Sequence, residues 1–285
     1  MVNSVPTQFL VVPQWQGSGS SRAMRLIDGA NAIAGDLPSS ATTIVDVPME
    51  AGESLGTGVH RFSAMVSIRD KVAVELSKLD GPVITVGGDC GADVAGVQRA
   101  VAAAEPGTVA LLWFDAHGDL NTPESSPTGA FGGMALRALL GDGAEQLAST
   151  GTAALRPSQV VLAGARSLDD AESAYIDESG IRMLGPGELT VPDALIEALE
   201  ATGATSVYVH VDLDVLDPAV IDGVGYPEPF GVQPTELADA IRAVRRRFTL
   251  AGACVAGFAP ASPDAATGDL SVILRVLGAL TAPLA

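Results

Sequence analysis

The sequence predicts an α/β protein in which helices cover both faces of a mostly parallel β-sheet, a three-layer α/β/α arrangement. Short apolar runs alternate with longer segments of helical periodicity along all 285 residues. The apolar runs are nearly continuous, which is typical of strands that are buried on both faces of a parallel sheet. Because no linker rich in proline or serine interrupts the alternation, we expect residues 1–285 to form a single domain.

The elements follow one another in a regular order along the chain. Polar residues that directly follow the strands are candidates for a functional site, because open parallel sheets bind ligands at the carboxyl ends of their strands. The expected strands are QFLVV, TTIVDV, GPVITVGG, TVALLWFDA, SQVVLAGA, SVYVHVDLD and AGACVAGFAP. The expected helices lie within 20–34, 57–79, 92–104, 131–140, 168–179, 191–202, 234–247 and 266–280.

Composition argues against several classes of function. The net charge of −18 and a pI near 4.3 disfavour binding to nucleic acid and to anionic membrane surfaces. No stretch approaches the roughly 20 apolar residues of a membrane span, and the N-terminus lacks the basic start of a signal peptide. Cys90 and Cys254 are the only cysteines, so we expect no disulfide framework and a cytoplasmic location. The expected partner is a small-molecule substrate, and the apolar helices favour a homo-oligomer.

Two acidic clusters follow two of the predicted strands. Asp115, His117 and Asp119 lie in WFDAHGDLN, and Asp212 and Asp214 lie in VYVHVDLDVLDPA. Residues spaced by two project from the same face of a strand as it leaves the sheet. Four carboxylates and one imidazole suit hard divalent ions such as Mn²⁺ or Mg²⁺ better than Zn²⁺. A single D-x-D at a strand end is often only a solvated turn, but two such clusters favour a metal site.

A third strand exit, VGGDCGADV, presents Cys90. The order GGDC, DAHGDLN and HVDLDVLDP resembles the ureohydrolase family of arginases, agmatinases and formimidoylglutamases over about residues 80–260. The resemblance implies an arginase-like fold with a binuclear Mn²⁺ centre, which hydrolyses a linear C–N bond in a guanidino, amidino or formimino compound. It implies six metal ligands, which are Cys90, Asp115, His117, Asp119, Asp212 and Asp214.

The resemblance also assigns roles within this ligand set. A pair of ions lowers the pKa of a water molecule, and the resulting hydroxide attacks a planar, electrophilic carbon. Asp119 is the candidate catalytic residue, because it can orient the hydroxide and pass its proton to the leaving amine. The implied arrangement has Asp115 and Asp212 bridging both ions, His117 and Asp214 completing one ion's shell, and Asp119 and Cys90 completing the other's.

Three positions depart from the family pattern. Cys90 stands where the family usually has a histidine, and Mn²⁺ binds a soft thiol poorly, so we expect a weakly held ion, none, or a softer metal there. A buried Cys90 without any metal role remains an alternative. Gly132 replaces the histidine that acts as a proton shuttle in arginases. Gly257 falls where arginases place the glutamate that binds the guanidinium, so a cationic guanidine lacks its usual counter-charge.

The resemblance implies five residues in contact with substrate. Asn121, Ser126 and Thr128 have the spacing by which arginase-like proteins hold an amino-acid carboxylate, which hydroxyls and an amide can do without a cation. Asp169 and Glu172 match the segment that contacts the substrate's amino end. The alternative for this pair is a helix start, where the helix dipole favours acids.

His210 precedes Asp212 and Asp214 by two and four residues and shares their face of the strand. Two residues span about 6.6 Å along a strand, so His210 should lie deeper in the sheet than the ligands. We predict that its imidazole bonds a ligand carboxylate and fixes the orientation of that carboxylate. The alternatives are a buried histidine bonded to a backbone carbonyl, and a replacement for the missing ligand at position 90.

Two other functions remain open. The first is a degenerate, non-catalytic homologue that retains partial metal binding, and the departures at Gly132 and Gly257 support it. The retained carboxylates argue against it, because four of them facing one another without cations would be destabilising. The second, a deacetylase-like amide hydrolase, lacks its expected pair of histidines.

Overall fold

The computed structural model describes residues 7–283, whose eight strands form one sheet. All neighbouring strands are parallel, which confirms the predicted sheet. The strands are β1 (Gln8–Val12), β2 (Thr42–Ile44), β3 (Val83–Gly87), β4 (Val109–Phe114), β5 (Val160–Ala163), β6 (Arg182–Leu184), β7 (Ser206–Asp212) and β8 (Thr249–Ala256). Their order across the sheet is β2-β1-β3-β8-β7-β4-β5-β6.

Helices pack on both faces of this sheet, as the near-continuous apolar strands predict. One apolar cluster joins the sheet to the first helix and the last three, and another joins its opposite face to the second, third and fourth. Each helix overlaps a segment predicted from periodicity. The helices are α1 (Arg25–Gly35), α2 (Phe62–Leu76), α3 (Val94–Ala102), α4 (Ala135–Leu139), α5 (Asp170–Ser179), α6 (Asp193–Ala201), α7 (Pro234–Arg247) and α8 (Pro263–Thr281).

Strand β6 was not predicted from the sequence. It has three residues at the edge of the sheet, and its first two side chains, Arg182 and Met183, are exposed. A strand that buries only Leu184 leaves no apolar run by which to recognise it. No helix within residues 7–283 is long and apolar enough to cross a membrane.

The middle of the sheet determines where a site can form. Strands β3, β8, β7 and β4 are consecutive neighbours, and because they are parallel their carboxyl ends lie at one edge. The segments that leave β3, β4 and β7 carry all the predicted metal ligands. Distant parts of the sequence therefore meet at this edge.

Candidate metal centre

A cavity of about 440 Å³ opens at the carboxyl ends of the central strands. The cavity is lined by every residue that was predicted to bind metal or substrate, whereas His210 does not line it. These residues are Cys90, Asp115, His117, Asp119, Asn121, Ser126, Thr128, Asp169, Glu172, Asp212 and Asp214.

Asp115, His117 and Asp214 form the most compact group in the cavity. His117 Nδ1 lies 3.4 Å from Asp115 Oδ1 and 3.1 Å from Asp214 Oδ2. One donor atom from each residue lies within 4.8 Å of the other two. Burial lowers the pKa of His117, but hydrogen bonds to both carboxylates raise it to about 12. A protonated imidazole thus balances two carboxylates, and an ion bound here would displace that proton.

Asp212 and Asp214 are buried close to each other and to Asp115, which is unfavourable without a cation. Burial raises the pKa of Asp212 to about 6, and the charge of Asp214 contributes in the same direction. Burial also raises the pKa of Asp214 to about 6, with a further contribution from Asp115. A divalent cation would offset both causes, so the donor set fits a metal centre.

Cys90 faces the carboxylates. Its thiol donates to Asp212 Oδ2 at 3.0 Å, and its Sγ lies 3.9 Å from Asp115 Oδ2. Burial, together with the charge of Asp119, raises the pKa of the Cys90 thiol well above its usual value. A thiolate at this position therefore needs a bound cation. Cys254, by contrast, is fully buried in β8 and does not line the cavity.

Asp119 lies on the turn that follows β4, and its backbone is strained. Its φ of +52° is uncommon for a residue other than glycine. Its Oδ2 is buried and has no hydrogen-bond partner among residues 7–283. Burial and the charge of Asp115 raise the pKa of Asp119 well above its usual value. A buried carboxylate oxygen without a donor is suited to accept a cation.

His210 is fully buried, as its depth on the strand predicts, but the predicted bond to a ligand carboxylate is wrong. Its Nδ1 instead lies 2.8 Å from Asp93 Oδ2. Asp93 also accepts a hydrogen bond from the Tyr208 hydroxyl. Asp93 lies in the turn after β3 and was not predicted from the sequence to have a role. An acid beside apolar residues in GGDCGADVAG was the available signal.

The predicted contacts to the substrate's amino end have local partners in the structure. Asp169 accepts from the backbone N–H of Glu172 at 2.9 Å, and Glu172 accepts from that of Asp169 at 3.1 Å. This capping box begins α5, so the helix-start alternative describes the pair. Asn121 donates to Asp169 Oδ2 at 2.7 Å. All three side chains still line the cavity.

The two predicted hydroxyl contacts retain donors for a ligand. Ser126 Oγ accepts from the N–H of Gly129 at 3.0 Å, and Thr128 Oγ1 accepts from that of Ala130 at 3.2 Å. Since a hydroxyl can also donate, both side chains can bind the carboxylate of a ligand in the cavity.

The two glycine positions differ in the room that they leave. A Cβ at Gly257 would lie 2.2 Å from Asp212 Oδ1, and the φ of Gly257 is +88°. This glycine is therefore required by close packing and by its backbone conformation. At Gly132 the nearest atom to an added Cβ is Gly17 O, at 3.3 Å. A small side chain fits at position 132 with slight adjustment.

Arg166 connects two loops of the site, and sequence reasoning did not identify it. A guanidinium offers five N–H donors, so one side chain can bind several carbonyls. In this way it joins the loop after β5 to the loops after β7. The carbonyls that accept from it belong to Gly164, Asp214, Val215, Leu216, Glu228 and Pro229, at 2.8 to 3.4 Å.

Comparison with known proteins agrees with the fold and the site. The sequence model that describes the arginase family matches residues 22–274 of this chain. The chain therefore belongs to the arginase family of hydrolases, and its cavity holds side chains able to bind metal. The resemblance to ureohydrolases is confirmed.

Particular relatives refine this assignment. The chain is 34% identical to N(omega)-hydroxy-L-arginine amidinohydrolase of Streptomyces lavendulae over 214 residues. The aligned residues cover 75% of this chain and 74% of the relative. The structure of arginase from Bacillus caldovelox is similar with a TM-score of 0.83 and 25% identity over 99% of both chains. Entamoeba histolytica arginase in complex with L-ornithine shares the fold, with a TM-score of 0.86 at 22% identity over 98% of this chain and 99% of that one.

Proposed function

We propose that this protein is a Mn²⁺-dependent hydrolase that cleaves a linear C–N bond in a guanidino compound at a binuclear centre. The observation that carries the proposal is the convergence of the two acidic clusters and Cys90 in one cavity. The family supports the reaction class. The donor set supports the metal, because carboxylates predominate.

The chain's residues divide the work around the cavity. Asp115, His117 and Asp214 would hold one ion, and their donor atoms are already grouped within 4.8 Å. Asp119, Asp212 and Cys90 would hold the second, with Asp115 and Asp212 shared between the two. When bound, the ions supply Lewis acidity and an activated water.

Asp119 is the proposed proton carrier. Its Oδ2 is buried and has no hydrogen-bond partner among residues 7–283, so this oxygen is free to take up a proton. In the reaction it would accept a proton from the attacking water and deliver that proton to the leaving amine. A buried position also separates this transfer from bulk solvent.

The substrate class that we favour is an N-hydroxyguanidine, the group named in the Streptomyces lavendulae relative. An arginine side chain would bring a full positive charge to a cavity in which Gly257 leaves no room for a counter-charge. An electronegative hydroxyl on the guanidine lowers its basicity, so the neutral form binds at less cost. The four carboxylates do not replace that counter-charge, because bound ions balance them.

Other side chains that line the cavity suit the carboxylate of an amino acid. Ser126 and Thr128 present hydroxyls there, and Arg22 and Arg25 also line the cavity. Neither arginine was predicted from the sequence to bind substrate. They add cationic donors for a carboxylate, which supports a guanidino amino acid over a simple guanidine.

The test combines metal content with a product screen. The purified chain would be loaded with Mn²⁺ and assayed with Nω-hydroxy-L-arginine, L-arginine, agmatine and formiminoglutamate, with hydroxyurea, urea and formamide as the products measured. We expect hydroxyurea release to exceed urea release, and Asp119→Asn to abolish both while retaining one ion. Metal binding without any product would favour the non-catalytic alternative, and no metal binding at millimolar Mn²⁺ would overturn the proposal.

We propose further that the protein acts in the cytoplasm as a homo-oligomer. Both cysteines are free and buried, which fits a reducing compartment. Phe230 is 84% exposed, and burial of such a side chain between subunits would be favourable. Sedimentation velocity of the chain and of Phe230→Ser would test the association.

A further inference from the structure

A buried imidazole lies directly behind the Cys90 position. His210 is fully buried, and its Nε2 has no hydrogen-bond partner among residues 7–283. Buried polar atoms in folded proteins nearly always have a partner. An unpartnered ring nitrogen beside a metal cavity therefore calls for an explanation.

The hydrogen bond to Asp93 determines which ring nitrogen of His210 is available to bind a metal ion. Nδ1 lies 2.8 Å from Asp93 Oδ2, and a carboxylate accepts, so Nδ1 is assigned the proton. In a neutral imidazole this leaves the lone pair on Nε2. A carboxylate behind a histidine, with the other ring nitrogen on a metal, is a recurrent arrangement in metal sites.

Trp113 holds the ring and a neighbouring ligand in place together. Its indole stacks on His210 with ring centroids 3.5 Å apart and planes 7° apart. The same indole donates from Nε1 to Asp115 Oδ2 at 3.2 Å. His210 and Asp115 are thus positioned relative to each other by one rigid side chain.

We propose that His210 Nε2 is a ligand of the ion at the Cys90 position, and that this position takes Zn²⁺ or Co²⁺ in preference to Mn²⁺. One donor atom each from Cys90, Asp115 and His210 lie within 4.8 Å of one another. Sulfur, nitrogen and one carboxylate oxygen form a donor set that suits these softer ions. His210 would supply the imidazole that Cys90 does not.

The spacing is close to that of a bound ion. Ligand atoms about 2.0 to 2.3 Å from a tetrahedral ion are about 3.3 to 3.8 Å apart. Cys90 Sγ and Asp115 Oδ2 are already 3.9 Å apart. A ring nitrogen of His210 lies within 4.8 Å of a donor atom from each of these two residues.

A second group also includes His210, and it is the weaker candidate. Asp93, His210 and Cys254 offer donor atoms within 4.8 Å as well. Asp93, however, is already bonded to Nδ1 and to Tyr208, and neither Asp93 nor Cys254 lines the cavity, whereas Cys90 and Asp115 do. Cys254 therefore provides a matched control for Cys90.

This inference rests on the proposed function only for the presence of a metal centre, and it deepens that function by naming the metal at one position. The test uses Co²⁺, which reports on both ligand types independently of activity. A thiolate ligand gives a charge-transfer absorption in the near ultraviolet, and a coordinated imidazole gives strongly shifted ring-proton signals in the NMR spectrum. The chain has only three histidines, so the shifted signals can be assigned by substitution.

In the tag-free, Co²⁺-loaded chain we expect shifted signals from two rings, those of His117 and His210. His210→Asn should remove one set, and His60→Ala combined with His117→Ala should leave the His210 set alone. Cys90→Ser should abolish the charge-transfer band, whereas Cys254→Ser should retain it. Zn²⁺ should displace Co²⁺ from this position at concentrations at which Mn²⁺ does not.

Signals from a single coordinated ring, assigned to His117, would overturn the proposal, even if His210→Asn failed to fold. Loss of the band in Cys254→Ser but not in Cys90→Ser would also overturn it, by placing the ion in the second group. If no substrate is hydrolysed but both spectroscopic signatures are present, the proposed function fails and this inference stands. If a substrate is hydrolysed but only one imidazole is coordinated, the proposed function stands and this inference fails.

Discussion

At the scale of the residue, Gly257 limits what can be engineered at this site. An added Cβ would lie 2.2 Å from Asp212 Oδ1, a proposed ligand atom, and the φ of +88° disfavours any side chain. A glutamate at position 257, as in arginases, would therefore displace Asp212 and could not bind a guanidinium without disturbing the metal centre.

We accordingly predict that Gly257→Glu lowers Mn²⁺ affinity and does not raise activity toward L-arginine. The strained backbone alone should cost about 1 kcal/mol or more. Titration calorimetry and urea release measure the two effects. Gly132→Ala is the matched control, because its Cβ would be 3.3 Å from the nearest atom, and it should bind metal normally. A Gly257→Glu enzyme with improved arginine hydrolysis would contradict the prediction.

Cys90→His should change which metal the chain selects. An imidazole suits Mn²⁺ better than a thiol does, so Mn²⁺ affinity at the weaker position should rise while the preference for Zn²⁺ falls. Competition titrations with the two ions would measure the shift. Cys254→Ser should leave both affinities unchanged. If Cys90→His leaves stoichiometry and affinity as they were, Cys90 is not a ligand.

At the scale of the element, Arg166 sets the position of the loops that follow β5 and β7. It donates to the backbone carbonyls of Asp214 and Glu228 at 2.8 Å each. A lysine keeps the charge but lacks the planar fork, so it can satisfy fewer of these carbonyls. The geometry of Asp214, a proposed ligand, thus depends on a residue from another strand's loop.

We predict that Arg166→Lys lowers the free energy of unfolding by about 2 kcal/mol, since charge-assisted hydrogen bonds are lost. Mn²⁺ affinity should fall roughly tenfold, as for other partners that orient ligands. Denaturant unfolding and titration calorimetry give the two values. Arg182→Lys, at an exposed edge, is the control, and equal effects from both substitutions would refute the role.

Patterns along the sequence were sufficient for elements that bury their side chains and insufficient for contacts between elements. Strand β7 was predicted because a continuous apolar run precedes Asp212. Strand β6 was missed because Arg182 and Met183 are exposed. His210 was placed at the right depth, but its partner, Asp93, lies 117 residues away in sequence, and no periodicity links the two.

At the scale of the whole molecule, metal binding should contribute substantially to stability. Four buried carboxylates repel one another, and a cation that binds only the folded chain stabilises it by mass action. At 100 times its dissociation constant, Mn²⁺ should add about 2.7 kcal/mol. For a chain of this size that corresponds to roughly 5 °C in Tm.

Scanning calorimetry with Mn²⁺ and with a chelator would measure this difference. Asp115→Asn, which removes a shared ligand, should lose most of the metal-dependent increase, whereas Asp142→Asn on the surface should not. An increase of the same size in both variants would show that Mn²⁺ acts elsewhere on the protein.

The position of β8 has a consequence for synthesis of the chain. Within residues 7–283 it is the last strand in sequence, yet it lies between β3 and β7 in the middle of the sheet. Until residues 249–256 have left the ribosome, the edges of β3 and β7 stay unpaired and open to wrong association. Cys90 and Asp212 flank that gap, so the nascent chain can assemble the complete metal centre only after translation of β8. A chain truncated at residue 248 should therefore aggregate and bind no metal pair, however much Mn²⁺ is supplied.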